Sequence, residues 1–276
     1  MKLQCGKFEL ALTRPLVMGI VNLTPDSFSG DGTGVEIDRA VAQARLQLAA
    51  GADILDLGAE SSRPGAVPTP LNEELGRLLP VLQALQDCGV PISIDTYKPE
   101  VMRAVLDAGA DIINDIWALR QPGALAVVAQ HPQCGVCLMH MHRDPQTMQV
   151  APMEGDVVLQ VHDFLRGQVQ LLQGHGVDAS RIVLDPGIGF GKTVQQNFTL
   201  LAHQAQIQSI GYPILAGWSR KSSLGAVTGL PVEDRLAPSV AASLLSVDRG
   251  ARIVRVHDVR ETVAALAVWS EMQATN

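Results

Sequence analysis

Arg181-Ile-Val-Leu-Asp-Pro-Gly-Ile-Gly-Phe-Gly-Lys192 carries an apolar run into a carboxylate and then into a loop with glycine at every second position. Ile182, Val183 and Leu184 are β-formers without polar alternation, as in a parallel strand covered on both faces, and Pro186-Gly187 stops that strand at Asp185. Asp185 is therefore expected at a strand's carboxyl end. Gly187, Gly189 and Gly191 allow backbone to approach a ligand closely, Phe190 offers an apolar or stacking surface, and Lys192 a nearby cation. Gly191-Lys192-Thr193 resembles the tail of a phosphate-binding P-loop, but that motif needs glycine where Pro186 stands. Taken alone, the segment fits an ordinary strand-to-helix turn as well as a ligand loop.

Outward from this stretch the same unit recurs. Glycine precedes an apolar run at Gly51 (Ile54–Leu57), Gly89 (Pro91–Ile94), Gly109 (Ile112–Ile113) and Gly135 (Val136–Met139), and again at Gly176, Gly211 and Gly250. Each glycine fits a helix C′ position and each run a short buried strand. Ala50-Gly-Ala-Asp-Ile54 and Ala108-Gly-Ala-Asp-Ile112 nearly repeat. With a first strand at Leu16–Val21 there are eight strands in 276 residues, roughly 35 per βα unit. Helical stretches are expected at Val35–Ala50, Leu71–Asp87, Pro99–Ala108, Asp156–Gln173 and Val259–Met272. Eight alternating units without a dinucleotide fingerprint after the first strand favour an α/β fold of the closed (β/α)₈ TIM-barrel type over an open doubly wound sheet. Residues 3–12 are expected to form a short strand or hairpin outside the barrel, and residues 1–276 one domain.

The net charge of −7 argues against nucleic-acid or anionic-membrane partners, so an anionic ligand must be held by a local cluster. Met1–Leu10 contains Lys2, Lys7 and Glu9 and no apolar core of a signal peptide, and no apolar run reaches membrane-spanning length. Cys5, Cys88, Cys134 and Cys137 are then expected as reduced thiols in a cytoplasm, and Cys134-Gly-Val-Cys137 as buried structure, since it has no second pair with which to hold zinc.

Barrel chemistry sits at the carboxyl ends of the strands. There the chain presents Asn22, Asp56 with 60–63, Asp95, Asn114-Asp115, 139–142, Asp185, 217–222, and Arg255 with His257. Asp95, Asn114 and Asp185 suit the edge of a heterocycle carrying an amino group and ring N–H groups. Arg63, Arg255 and His257, with Asn22 nearby, form a cationic set suited to a diphosphate, met through a divalent ion on an oxygen ligand. Ser219–Ser222, ahead of a helix, can receive a carboxylate. Other residues invite plainer readings. Asp56 is expected to be structural, as Asp53 and Asp111 cap strands. Asn22 has the lesser alternative of simply pinning the loop after strand one. His140-Met-His142 has the spacing of a metal pair, but on the fifth strand, whereas hydrolase barrels carry theirs on the first.

These residues resemble dihydropteroate synthase, the folate-pathway family that sulfonamides inhibit. Met18-Gly-Ile-Val-Asn-Leu-Thr-Pro-Asp-Ser-Phe-Ser29 is similar to the family's first signature and Asp56-Leu-Gly-Ala-Glu-Ser-Ser-Arg-Pro-Gly65 to its second. Ser93-Ile-Asp-Thr, Ile113-Asn-Asp, Asp185–Lys192, Ser219-Arg-Lys-Ser and Arg255-Val-His-Asp258 follow in family order. The resemblance implies condensation of 6-hydroxymethyl-7,8-dihydropterin diphosphate with 4-aminobenzoate in a magnesium-dependent homodimer. It implies that Asp95, Asn114, Asp185 and Lys221 hold the pterin, with Met139 and Ile116 lining it and Arg255 over its face. Asn22, Ser62, Arg63, Arg255 and His257 would hold diphosphate and Mg²⁺, with Asn22 the metal ligand. Phe28, Ser62, Pro64, Phe190, Lys221 and Ser222 would shape the aminobenzoate pocket. Ser62 stands where the family usually has threonine, and His142-Arg143 where it often has Gln-Gly. A pterin-binding methyltransferase barrel would share the pterin pocket but not Ser61-Ser-Arg-Pro64 or Ser219-Arg-Lys221, and a paralogue without activity would keep the fold alone. The Gly-rich 27–34 and Pro-containing 61–65 segments are expected to become ordered when an anion binds.

Overall fold

The computed structural model describes residues 1–23, 34–61, 65–144, 146–148 and 150–275. A hairpin of β1 (Lys2–Cys5) and β2 (Phe8–Ala11) precedes the barrel strands β3 (Leu16–Asn22), β4 (Ile54–Gly58), β5 (Ile92–Asp95) and β6 (Ile112–Asp115). These are followed by β7 (Gly135–Met139), β8 (Ile182–Asp185), β9 (Ile214–Ala216) and β10 (Ala251–Val256). The eight strands from β3 to β10 pair in parallel in chain order, and β10 closes on β3 through Arg255 opposite Met18. Helices α1 (Gly34–Ala49), α2 (Leu71–Ala84), α3 (Pro99–Asp107), α4 (Ala124–Gln130) and α5 (Val157–Gly174) surround them. α6 (Val194–Ala202), α7 (Gln204–Gln208), α8 (Ser222–Thr228), α9 (Leu236–Asp248) and α10 (Val259–Ala274) complete the outer layer. The (β/α)₈ barrel and its amino-terminal hairpin thus stand as the sequence reading has them.

The glycine rhythm holds with one exception. Gly51, Gly89, Gly109, Gly176, Gly211 and Gly250 all take positive φ, which β-carbon-bearing residues avoid, and so stop the preceding helix cleanly. Gly135 does not. It lies inside β7, where an added Cβ would stand 3.0 Å from the Cys5 Cβ, so it is glycine because the hairpin packs against it.

Period-two geometry divides each strand between two cores. Val17, Val21, Leu55, Leu57, Ile113, Val136, Leu138, Ile182 and Leu184 point outward to the helices. Met18, Ile54, Ile112, Cys137, Val183, Leu215 and Ile253 point inward, where Leu3, Cys5 and Leu12 of the hairpin region plug the lower mouth. Asp53 and Asp111 cap that mouth: Asp53 Oδ2 accepts from the Val17 N–H at 2.9 Å and Asp111 Oδ2 from the Ile92 N–H at 3.0 Å.

Candidate active site

The inward apolar layer fixes what comes next along each strand. Two residues beyond Ile54 stands Asp56, beyond Ile112 Asn114, beyond Cys137 Met139, beyond Val183 Asp185, and beyond Ile253 Arg255 and then His257. Strand register sets these residues side by side, Asp95 opposite Asn114 and Met139 opposite Asp185. Elements far apart in sequence thereby converge on one ring at the upper mouth.

Arg255 organises one half of the ring. Its Nε donates to Asp56 Oδ2 at 2.6 Å and its Nη2 to Asp95 Oδ2 at 2.8 Å. Asn114 Nδ2 also reaches Asp56 Oδ2, at 3.3 Å. Asp56 is wholly buried, and its Oδ1 has no hydrogen-bond partner among the described residues. Its role is structural, as expected, but it differs from the strand caps Asp53 and Asp111: its carboxylate orients Arg255 and Asn114 at the floor of the site. Burial alone would lower the Arg255 pKa, but the Asp56 and Asp95 carboxylates raise it, so the guanidinium stays charged. Burial raises the Asp95 carboxyl, and Arg255 opposes the shift.

Asp185 organises the other half. Its Oδ1 accepts the Gly187 N–H at 2.7 Å, and burial raises its pKa against that bond and the charge of Lys221. Burial pulls Lys221 down to about 8, with Asp185 opposing. The Lys221 ammonium lies 4.3 Å from the Phe190 ring centre. Ile116, Met139, Met141, Met148 and Phe190 form a small buried apolar cluster here, edged by Tyr97 and Trp117. Ser222 opens α8 directly after Lys221.

Two sequence readings of charge change. His257 is not part of a cationic set: burial and the neighbouring Arg255 lower its pKa to about 4, leaving it neutral near pH 7. Its Nδ1 lies 2.9 Å from Ser219 Oγ, which also accepts the His257 backbone N–H at 3.1 Å. Lys192 does not face a ligand either. It is buried, and its Nζ donates to the carbonyls of Gly187 at 2.8 Å, Phe190 at 3.1 Å and His140 at 3.3 Å, so it holds the glycine loop in shape. Burial pulls its pKa to about 7. Gly187 is required beside it, because a Cβ there would come within 1.9 Å of the His140 carbonyl oxygen.

His140 and His142 go to different surroundings. The His140 ring is buried edge-on against Phe164, centroids 4.9 Å apart, with Nδ1 lacking a partner among the described residues, whereas His142 Nε2 accepts from Arg143. Asn22 ends β3, half-buried, and its carboxamide makes no hydrogen bond among the described residues, leaving the oxygen available to a hard cation. Among those residues no group of three His, Cys, Asp or Glu side chains could hold a metal, so an ion at Asn22 would draw its remaining ligands from water and substrate oxygens, as Mg²⁺ commonly does. Phe28, Ser62, Arg63 and Pro64 lie outside the described residues, as does most of the segment expected to order around an anion.

Sequence reading missed a part-buried ionic cluster around Lys98. Lys98 Nζ pairs with Glu60, with Glu74 at 2.5 Å and with the Thr69 carbonyl at 2.7 Å, while the Tyr97 hydroxyl donates to Glu60 at 2.6 Å. Beside it a cavity of about 220 Å³ shares Asp95 and Ile116 with the site. No local motif reveals such a cluster, since its members come from two loops and a helix.

Residues 18–257 match the family described as pterin binding enzymes. The dihydropteroate synthase of Neisseria meningitidis serogroup B is 46% identical over 98% of this chain and 96% of its own. A Burkholderia cenocepacia dihydropteroate synthase structure complexed with 7,8-dihydropteroate is 54% identical, covers 99% of this chain and 97% of its own, and superposes with a TM-score of 0.91. A Xanthomonas albilineans dihydropteroate synthase structure with 4-aminobenzoic acid is 50% identical, covers 99% and 98%, and gives a TM-score of 0.93.

Proposed function

Because this chain belongs to the pterin-binding enzyme family, we propose that it joins 6-hydroxymethyl-7,8-dihydropterin diphosphate to 4-aminobenzoate, giving 7,8-dihydropteroate and pyrophosphate for folate biosynthesis. One observation carries the reading: half-buried Asp95 with buried Asn114 and Asp185 forms an acceptor-rich arc beside Arg255, a surface that fits the amino and ring N–H edge of a pterin. In this reading Lys221 joins those three in holding the heterocycle, Ile116 and Met139 line it, and Arg255 lies over its face.

The chemistry follows from the groups. The bond between the pterin methylene and the diphosphate oxygen breaks, and the electron pair leaves with the diphosphate. Arg255 and, by resemblance, Arg63 receive that charge, while the neutral His257 contributes as a hydrogen-bond donor. Magnesium, held at the Asn22 oxygen, would add positive charge against the diphosphate when bound. The carboxylates Asp95 and Asp185 stabilise the cationic pterin methylene left behind. The aminobenzoate amine, already free to attack, forms the C–N bond and loses a proton, so no protein nucleophile is needed. Phe190, Lys221 and Ser222, with Phe28, Ser62 and Pro64 assigned by resemblance, shape the aminobenzoate pocket.

Purified enzyme given both substrates and Mg²⁺ should release pyrophosphate and form dihydropteroate, with sulfonamides competing against 4-aminobenzoate. Absence of pyrophosphate release, or inhibition noncompetitive with aminobenzoate, would count against the reading. We place the enzyme in the cytoplasm on the strength of its free cysteines. We also read it as a homodimer: Val232, Leu236 and Leu245 in and near α9 and Val268 and Met272 on adjacent α10 are large apolar side chains exposed to solvent. Sedimentation velocity tests that assignment.

A further inference from the structure

The hydrogen-bond count at Ser219 determines where His257 carries its proton. A serine hydroxyl has one hydrogen to donate and two lone pairs with which to accept. Ser219 Oγ is buried and already accepts the His257 backbone N–H at 3.1 Å. Its other contact among the described residues is His257 Nδ1, at 2.9 Å. Were Nδ1 protonated, Oγ would accept twice and its own hydrogen would be buried with no acceptor among the described residues, a cost of about 1–3 kcal/mol. With Nδ1 as acceptor, the Ser219 hydroxyl, the His257 backbone N–H and Nδ1 are all satisfied. The proton then sits on Nε2.

We propose that Ser219 is a positioning residue, whose hydroxyl fixes the His257 tautomer so that Nε2–H is presented to the upper mouth as a neutral donor for the departing diphosphate. The serine acts at both ends of one residue, holding the His257 backbone and its ring together, so the ring plane is set as well as the proton. Arg255 and Arg220 both act on this ring as held cations, with Asp258 opposing them: Arg220 is tied to Asp258 at 2.6 Å, and Arg255 to Asp56 and Asp95. Burial and these two charges disfavour an imidazolium, whereas a neutral N–H donor is not disfavoured. The site thus gains a directed hydrogen bond to an oxygen anion where a further cation would be costly. The assignment to diphosphate rests on the reaction proposed above, whereas the tautomer does not depend on it.

Protein labelled with ¹⁵N in histidine, with His257 identified by its loss in His257→Gln, gives the test through long-range ¹⁵N–¹H correlation near pH 7.5. Wild-type His257 should show a protonated Nε2 and an unprotonated Nδ1. Ser219→Ala should convert it to a mixture of tautomers, and Ser219→Thr, which keeps the hydroxyl, should restore it. Thermal melts check that the variants are folded. In kinetics, Ser219→Ala should lower kcat/KM for the pterin diphosphate about tenfold, as loss of a ligand-orienting partner commonly does. A wild-type proton on Nδ1, or an unchanged tautomer in folded Ser219→Ala, would overturn the role of Ser219. Titration with Mg²⁺ and pyrophosphate separates the two readings: a shift at Nε2 supports the whole proposal, and a correct tautomer without that shift overturns the assignment of His257 to diphosphate.

Discussion

The two mouths of the barrel are made from the same strands, two residues apart, and could hardly differ more. At the lower mouth Met18, Ile54, Ile112, Val183 and Ile253 meet the hairpin's Leu3 and Cys5 in a dry layer, and the carboxylates Asp53 and Asp111 accept backbone N–H groups of neighbouring strands. At the upper mouth Asp56, Asp95, Asp185, Lys221 and Arg255 crowd together, buried polar atoms go unpaired among the described residues, and the ionisable groups Lys221 and His257 are displaced from their ordinary pKa values. A single step of strand period converts packing into chemistry. The lower mouth supplies stability that the upper mouth can spend on strained electrostatics.

If that division is real, stability and turnover should separate on mutation. Leu3→Ala, which empties a fully buried position in the lower plug, should cost about 3 kcal/mol of stability in denaturant titration while leaving kcat of the folded enzyme unchanged. A parallel loss of kcat would break the comparison. Asp185→Asn should do the reverse: kcat down about a hundredfold, roughly 2.7 kcal/mol of barrier, with a melting temperature near wild type. Near-normal turnover would remove Asp185 from its role.

Acid should act on the upper mouth. His140, buried against Phe164 near the end of β7, has its pKa pushed down by burial to about 2. Between about 6.5 and 2 the unfolded chain therefore binds a proton that the folded chain refuses, so stability falls as pH falls through this window. His140 should account for about 1.6 kcal/mol lost between pH 6.5 and 5, and His140→Gln should flatten that part of the curve. An unchanged slope would place the acid sensitivity elsewhere. The smallest effect expected is at Asp53→Ala, which leaves the Val17 N–H without its acceptor at the rim of the lower mouth: about 1 kcal/mol of stability, and no change in kcat.

The strands, their order and most glycine stops were legible in sequence because they are local: an apolar run, a positive-φ glycine, a polar terminus. The residues at the strand ends were legible for the same reason, once a barrel was inferred. What could not be read was partnership. Asp56 looked like Asp53, its near neighbour, until Arg255, 199 positions away, was seen bonded to it. Lys192 reads as a ligand cation beside glycines, yet three carbonyls surround it in the fold. His257 reads as a positive charge, and burial next to Arg255 makes it neutral. Gly135 keeps the glycine rhythm for another reason, contact with a hairpin more than a hundred residues earlier. In each case the identity of the residue is a local property and its charge or purpose a tertiary one.

The Arg255–Asp56–Asp95 ion triad also bears on how a population of this enzyme can respond to an inhibitor. Removing one member of a buried pair leaves the other uncompensated, at about 3–5 kcal/mol, against a total stability of about 5–15 kcal/mol for a typical domain. Any single substitution that reshapes this floor to exclude a drug would jeopardise folding and turnover together. Compounds that bear on these three side chains leave resistance few viable genetic routes.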